Sequence, residues 1–168
     1  GGSIILGDKP TFLSLLRSPV LLLAFGFGSG LSKKAPGTVG SLVALGIWIL
    51  IADLALIPYI TFLITSGLIG VYICGVASEK LGVHDHGGIV WDEFVGLWIT
   101  LFMLPVGWYW IFIGFGLFRF FDIVKPWPVS WADKSLSDGM GIMVDDVLAG
   151  FYGLACIQLA NFLISSNF

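Results

Sequence analysis

Charge is what this sequence has least of. Only 11% of its 168 residues are Asp, Glu, Lys or Arg, where a soluble domain carries about a quarter. A water-facing surface over the whole molecule is therefore excluded. Cysteine is nearly absent too. Cys74 and Cys156 each sit inside an apolar run with no CxxC or Cys/His spacing, which argues against a disulfide framework or thiolate metal site and for packing roles. No basic tract is present and the net charge is only −3, so nothing points to a nucleic-acid partner. The first residues lack the basic stretch, apolar run and small-residue cleavage site of a secretory signal. Gly1-Gly2-Ser3 has no initiator Met and is expected to be a cloning remnant, leaving residues 4–168 as one integral-membrane domain.

What is present is hydrocarbon. The chain is 57% hydrophobic with a mean hydropathy of +0.98. Five apolar runs are candidates to cross a bilayer: Val39–Ile57, Pro58–Ser78, Val90–Leu104, Trp108–Val124 and Ile142–Ile164. Val20–Leu31 is short and glycine-rich and reads as a re-entrant or interfacial segment. The expected fold is all-α, a polytopic membrane helical bundle with about five transmembrane helices and that short N-terminal segment. Five crossings put Lys9, Arg17, Lys33, Lys34, Lys80, Arg119, Lys125 and Lys134 on or near one side, which the positive-inside rule makes cytoplasmic. Nearly all the acids fall there too, with Asp53 the exception. Topology does not require that second asymmetry. The indoles of Trp127 and Trp131 are expected at headgroup level.

Helix length pulls several charges below the surface. Phe94 to Leu104 is eleven residues, about 16 Å as a helix, or half the ~30 Å hydrocarbon core. The third span must therefore include Asp92 and Glu93. By the same measure the fourth must include Arg119 and Asp122, at similar depth. Asp145 and Asp146 open the fifth. Groups at such depth cost about 2.5–3.5 kcal/mol each and usually mark a pathway or a site. Ion pairs tying helices together, Arg119 with Asp92 or Asp146 for instance, are the plain structural alternative. However, Asp92, Glu93, Asp122, Asp145 and Asp146 outnumber Arg119 and Lys125. In a low dielectric that surplus calls for a divalent cation, and oxygen-only ligands favour Mg²⁺. Not all five carboxylates can be direct ligands.

Two further segments belong with them. Gly37, Thr38 and Ser41 open the first span and offer backbone N–H groups and hydroxyls to an anion, although Pro-Gly-Thr is also an ordinary cap. His84-Asp85-His86 reads either as a polar turn or as a proton-transfer element beside the carboxylates.

Taken in order, Phe27-Gly28-Ser29-Gly30-Leu31-Ser32, Pro36-Gly37-Thr38, Gly82-Val83-His84-Asp85-His86, Ile89-Val90-Trp91-Asp92-Glu93-Phe94, Arg119-Phe120-Phe121-Asp122, Lys125-Pro126-Trp127-Pro128 and the stretch from Gly139 to Asp146 closely resemble the phosphatidylglycerophosphatase A family, over residues 24 to 155. The resemblance implies a Mg²⁺-dependent lipid phosphatase of the bacterial inner membrane. It would convert phosphatidylglycerophosphate to phosphatidylglycerol and phosphate at the cytoplasmic leaflet. The family's signature residues map onto Asp85, Asp92, Glu93, Arg119, Asp122, Lys125, Asp145 and Asp146.

The expected division of labour follows. Asp92, Glu93, Asp85, Asp146 and His84 would be catalytic; Arg119, Lys125, Gly37, Thr38 and Ser41 would bind phosphate; and Asp92, Glu93, Asp122, Asp145 and Asp146 would serve the metal. Attack by water and a covalent phospho-enzyme both stay open. So do acyl-chain preference and oligomeric state. The rival reading is a small ion or metal transporter whose intramembrane acids line a path.

Overall fold

A computed structural model describes residues 11–31, 36–82, 89–135 and 138–166. Every regular element among them is helical: α1 (Phe12–Arg17), α2 (Pro19–Ala24), a 3-10 turn (Ser29–Leu31), α3 (Pro36–Ile51), α4 (Leu56–Leu81), α5 (Trp91–Thr100), α6 (Tyr109–Val124), α7 (Val129–Ser135) and α8 (Asp138–Ser166). The all-α expectation holds. By length and composition two helices can cross a bilayer, Leu56–Leu81 and Gly139–Ser166, while Pro36–Ile51 is apolar but shorter.

The third expected span differs most from its sequence reading. Helix α5 has only ten residues, about 15 Å, and the chain turns at 101–103 ahead of Pro105. Met103 takes a left-handed φ of 53° there. Nearly the whole helix is buried, from Asp92 and Phe94 through Thr100, because α3, α4, α6 and α8 all pack against it. Surrounded by protein, α5 buries apolar residues on every face beyond its acidic first turn and has no lipid-facing stripe. The large exposed apolar side chains lie instead on its neighbours, such as Leu50 and Ile64 on α3 and α4, and Phe112 and Phe162 on α6 and α8. Such a belt suits a hydrocarbon solvent.

Contacts along the helices give their directions. Gly37 of α3 lies against Glu93 of α5, and Ala44 accepts a hydrogen bond from the Trp98 indole at 3.0 Å, so α3 and α5 run parallel. The start of α4 meets the end of α5, where the Tyr59 hydroxyl donates to the Trp98 carbonyl at 2.5 Å. Gly114 of α6 adjoins Leu101 and Ile157, whereas Phe118 reaches back to Gly96, which makes α6 antiparallel to α5 and α8. Helices α3, α5 and α8 therefore leave one end of the bundle, and α4 and α6 return to it.

The N-terminal segment lies at that same end. Helices α1 and α2 have six residues each, about 9 Å, too short to cross a bilayer. Ser18 caps α2 by accepting from the Leu21 N–H, with Pro19 in the first turn. Lys80 donates to the Ser18 hydroxyl at 2.9 Å, and Val90 N–H donates to the Ala24 carbonyl at 2.7 Å. Together these tie the segment to the end of α4 and the start of α5. Cys74 and Cys156 form no disulfide among the described residues.

Candidate active site

A glycine-to-glycine contact between α5 and α8 sets the site. A Cβ on Gly150 would fall 2.5 Å from the Gly96 carbonyl oxygen, and one on Gly96 would fall 2.7 Å from the Asp146 carbonyl oxygen. Only glycine allows α5 and α8 to approach so nearly. Thr100 fastens the contact by donating to the Gly150 carbonyl at 3.0 Å. Asp92 precedes Gly96 by four residues and Asp146 precedes Gly150 by four. One turn toward the site end, on the same helix faces, the two carboxylates therefore converge.

Asp145 joins them. One oxygen from each of Asp92, Asp145 and Asp146 lies within 4.8 Å of the others, and all three residues are buried, at 4%, 3% and 2% exposure. Asp146 also lies against Asp122. Its Oδ1 is buried with no hydrogen-bond partner among the described residues. Like charges this close repel strongly in a low dielectric. A hard dication taking one oxygen from each would satisfy them, so the donor set fits Mg²⁺.

The remaining charges form a chain beside this group. Arg119 Nη1 contacts Glu93 Oε1 at 3.2 Å and Asp122 Oδ2 at 2.8 Å. Lys125 Nζ contacts Asp122 Oδ1 at 3.8 Å and Asp145 Oδ2 at 3.1 Å. Arg119 thus pairs with Glu93 and Asp122, not with Asp92 or Asp146 as the plain structural reading had it. The five expected metal carboxylates divide. Three converge on one point, while Glu93 and Asp122 hold the guanidinium. Lys125 has left α6 and stands at its C-cap with φ 53°. Burial alone would lower its pKa, but Asp145, Asp122 and Asp146 outweigh that and hold it above the ordinary lysine value. It stays an ammonium.

The start of α3 borders the same cluster. A Cβ on Gly37 would meet Glu93 Oε1 at 2.8 Å and Arg119 Nη1 at 3.1 Å, so the first N–H groups of α3 open beside the guanidinium. Of the expected phosphate binders, Gly37 and Thr38 are half-buried at this edge. Ser41 is fully buried, and its hydroxyl donates to the Gly37 carbonyl at 2.8 Å. His84 and Asp85, both expected to be catalytic, lie outside the described residues, as do Lys33 and Lys34. Sequence reading missed Gly96 and Gly150. Their signal was the shared four-residue spacing from Asp92 and Asp146.

Comparison with known proteins points the same way. The family model for phosphatidylglycerophosphatase A matches residues 22–161. A phosphatidylglycerophosphatase A of Escherichia coli (strain K12) is 50% identical over 136 residues, 80% of this chain and 79% of the relative. One from Haemophilus influenzae is 49% identical over 145 residues, 84% of this chain and 88% of the relative. A Bacteroides thetaiotaomicron protein with the provisional name phosphatidylinositol-3-phosphatase is 42% identical over 165 residues, 93% of this chain and 98% of its own. No solved structure matches the chain. A family match spanning most of the sequence, with the ionisable cluster inside it, makes this chain a member of the phosphatidylglycerophosphatase A family.

Proposed function

We propose that this protein is a Mg²⁺-dependent membrane phosphatase that hydrolyses the terminal phosphomonoester of phosphatidylglycerophosphate, releasing phosphatidylglycerol and phosphate. The observation that carries the reading is the buried group Asp92, Asp145 and Asp146 beside two cations and a helix N-terminus. Family membership supplies the substrate class.

The chemistry follows from the placement of each group. Asp92, Asp145 and Asp146 would hold Mg²⁺, which when bound offsets phosphoryl charge and acidifies a water. Arg119, oriented from both sides by Glu93 and Asp122, directs its remaining N–H donors to phosphoryl oxygens. Lys125 adds a second fixed positive charge. The Gly37 and Thr38 N–H groups would donate to the anion at the α3 terminus. Glu93, or Asp85 and His84 of the sequence before α5, would move the proton. Ser41, with its hydroxyl turned into its own helix, is left out of this set.

The alternation of α3, α4, α5, α6 and α8 supports five crossings, with α5 sheltered at the centre. It brings Arg119, Lys125 and the carboxylates to the end that carries Lys80 and Lys134. The positive-inside rule favours a cytoplasmic position for that end, which supports a site at the leaflet where the substrate phosphate is exposed. Trp127 and Trp131, both exposed there, suit the headgroup layer. A transport path needs ionisable groups continuing through the bundle. Here the deep acids gather at one end.

Phosphate release by the detergent-purified protein, with Mg²⁺ and with EDTA, tests the reading. Release from phosphatidylglycerophosphate that EDTA abolishes is expected. Preferential release from phosphatidylinositol 3-phosphate would change the substrate and keep the chemistry. No release from either lipid by folded protein would sink the proposal.

A further inference from the structure

The loop that carries Lys125 is held from one side. Helix α6 ends at Val124, and Lys125 turns the chain with a left-handed φ of 53°, a conformation an unbranched side chain adopts only when its surroundings fix it. Local hydrogen bonds cover part of this: Lys125 N–H to the Phe121 carbonyl at 3.0 Å and Val129 N–H to the Pro126 carbonyl at 2.7 Å. The Trp127 side chain is 74% exposed and anchors nothing within the bundle. Its carbonyl is the handle, accepting from the Tyr152 hydroxyl of α8 at 2.5 Å. The Tyr152 ring also stacks on Phe121, with centroids 5.0 Å apart and planes at 21°.

Tyr152 follows Asp145 by seven residues, two turns along the same helix face. Helix α8 thus grips the α6–α7 connection twice, through Asp145 on the Lys125 ammonium and through Tyr152 on the Trp127 carbonyl and Phe121 ring. From this arrangement we infer that Tyr152 is a positioning residue, which fixes Lys125 against Asp145 so that its ammonium is set for the substrate phosphate. The inference rests on the proposed phosphate-binding role of Lys125. Tyr152 is not a catalytic residue, since its hydroxyl bonds the Trp127 carbonyl and its ring stacks on Phe121.

The test is Tyr152→Phe, which keeps the stacked ring and removes the hydroxyl. Hydrogen exchange followed by mass spectrometry reads the loop, and phosphate release from phosphatidylglycerophosphate reads its consequence. The expected result is faster exchange confined to residues 125–132, with KM raised about 3–10-fold and kcat nearly unchanged. A binding group lost equally from ground and transition states gives that split. Phe121→Leu, which removes the stack and keeps the hydroxyl, should move both readouts in the same direction. Unchanged exchange and unchanged KM in Tyr152→Phe would overturn the inference. So would exchange rising along all of α8 with a fall in Tm, because Tyr152 would then serve general packing. If the wild-type protein releases no phosphate, the functional reading fails by itself, and exchange at 125–132 still decides whether Tyr152 holds the loop.

Discussion

Asp92 and Asp146 face each other because their helices touch one turn farther on, at Gly96 and Gly150. Residues with no ionisable group therefore set the carboxylate spacing. Gly150→Ala places a methyl 2.5 Å from the Gly96 carbonyl oxygen, where backbone must give way. Overpacking of this kind costs about 1–3 kcal/mol, and a misplacement near 1 Å can cost about 100-fold in rate. The expected variant is folded with a lowered Tm in detergent, and phosphate release falls by at least about tenfold. Gly116→Ala is the control, since nothing lies within 4 Å of its added Cβ, and it should change neither readout.

Much of the architecture was legible because hydropathy is a local property. Each of the five apolar runs overlaps one of the helices α3, α4, α5, α6 and α8, and the Gly-rich start resolves into helices too short to cross. Boundaries were less legible. Helix α4 begins at Leu56 and takes Pro58 into its first turn, which helices tolerate, whereas the sequence reading began at Pro58. Helix α5 stops at Thr100 although its apolar run continues to Leu104. The charge surplus pointed to a cluster, but its division into a converging triad and an Arg119 clamp depends on which faces approach across Gly96. Composition does not carry that information. Tyr152 was hidden for the same reason, as one aromatic among many in an apolar helix.

Arg119 is held by two carboxylates on different helices, Glu93 at 3.2 Å and Asp122 at 2.8 Å. A lysine there keeps the charge but lacks the planar guanidinium, whose Nη1 meets both carboxylates and leaves its other nitrogens to direct donors outward. Arg119→Lys should therefore lose about 100-fold or more in kcat/KM, on the scale of removing one charge-stabilising donor, with little change in Tm. Initial rates on phosphatidylglycerophosphate check it. Wild-type kinetics in the lysine variant would remove Arg119 from phosphate recognition.

The proposed topology predicts which ends of the bundle water reaches from each side. Single cysteines replacing Leu54 in the α3–α4 turn and Val106 in the α5–α6 turn should react with a membrane-impermeant maleimide on intact cells, in a background without Cys74 and Cys156. A cysteine at Lys134 in α7 should react only after lysis. The reverse pattern would invert the protein and move the site to the outer leaflet face. Labelling of all three positions from one side would reduce the number of crossings.

The proposed Mg²⁺ site at the buried carboxylates can be tested without turnover. Asp92, Asp145 and Asp146 bring oxygens within 4.8 Å of one another, and Lys125 contacts Asp145 at 3.1 Å. A cation that binds this group in the folded state alone must stabilise the fold by mass action, by about 2.7 kcal/mol at a hundred times its Kd. Adding Mg²⁺ to EDTA-treated protein should therefore raise Tm in a saturable way, with the midpoint matching the Mg²⁺ dependence of phosphate release. Asp146→Asn removes one charge and one anionic oxygen while preserving shape. It should fold, lose measurable turnover and lose the Mg²⁺-dependent rise in Tm. Because neutralising one carboxylate also relieves repulsion, its metal-free Tm should equal or exceed that of the metal-free wild type. An Asp146→Asn protein that kept the full Mg²⁺ response would place the ion elsewhere and leave the triad a structural cluster.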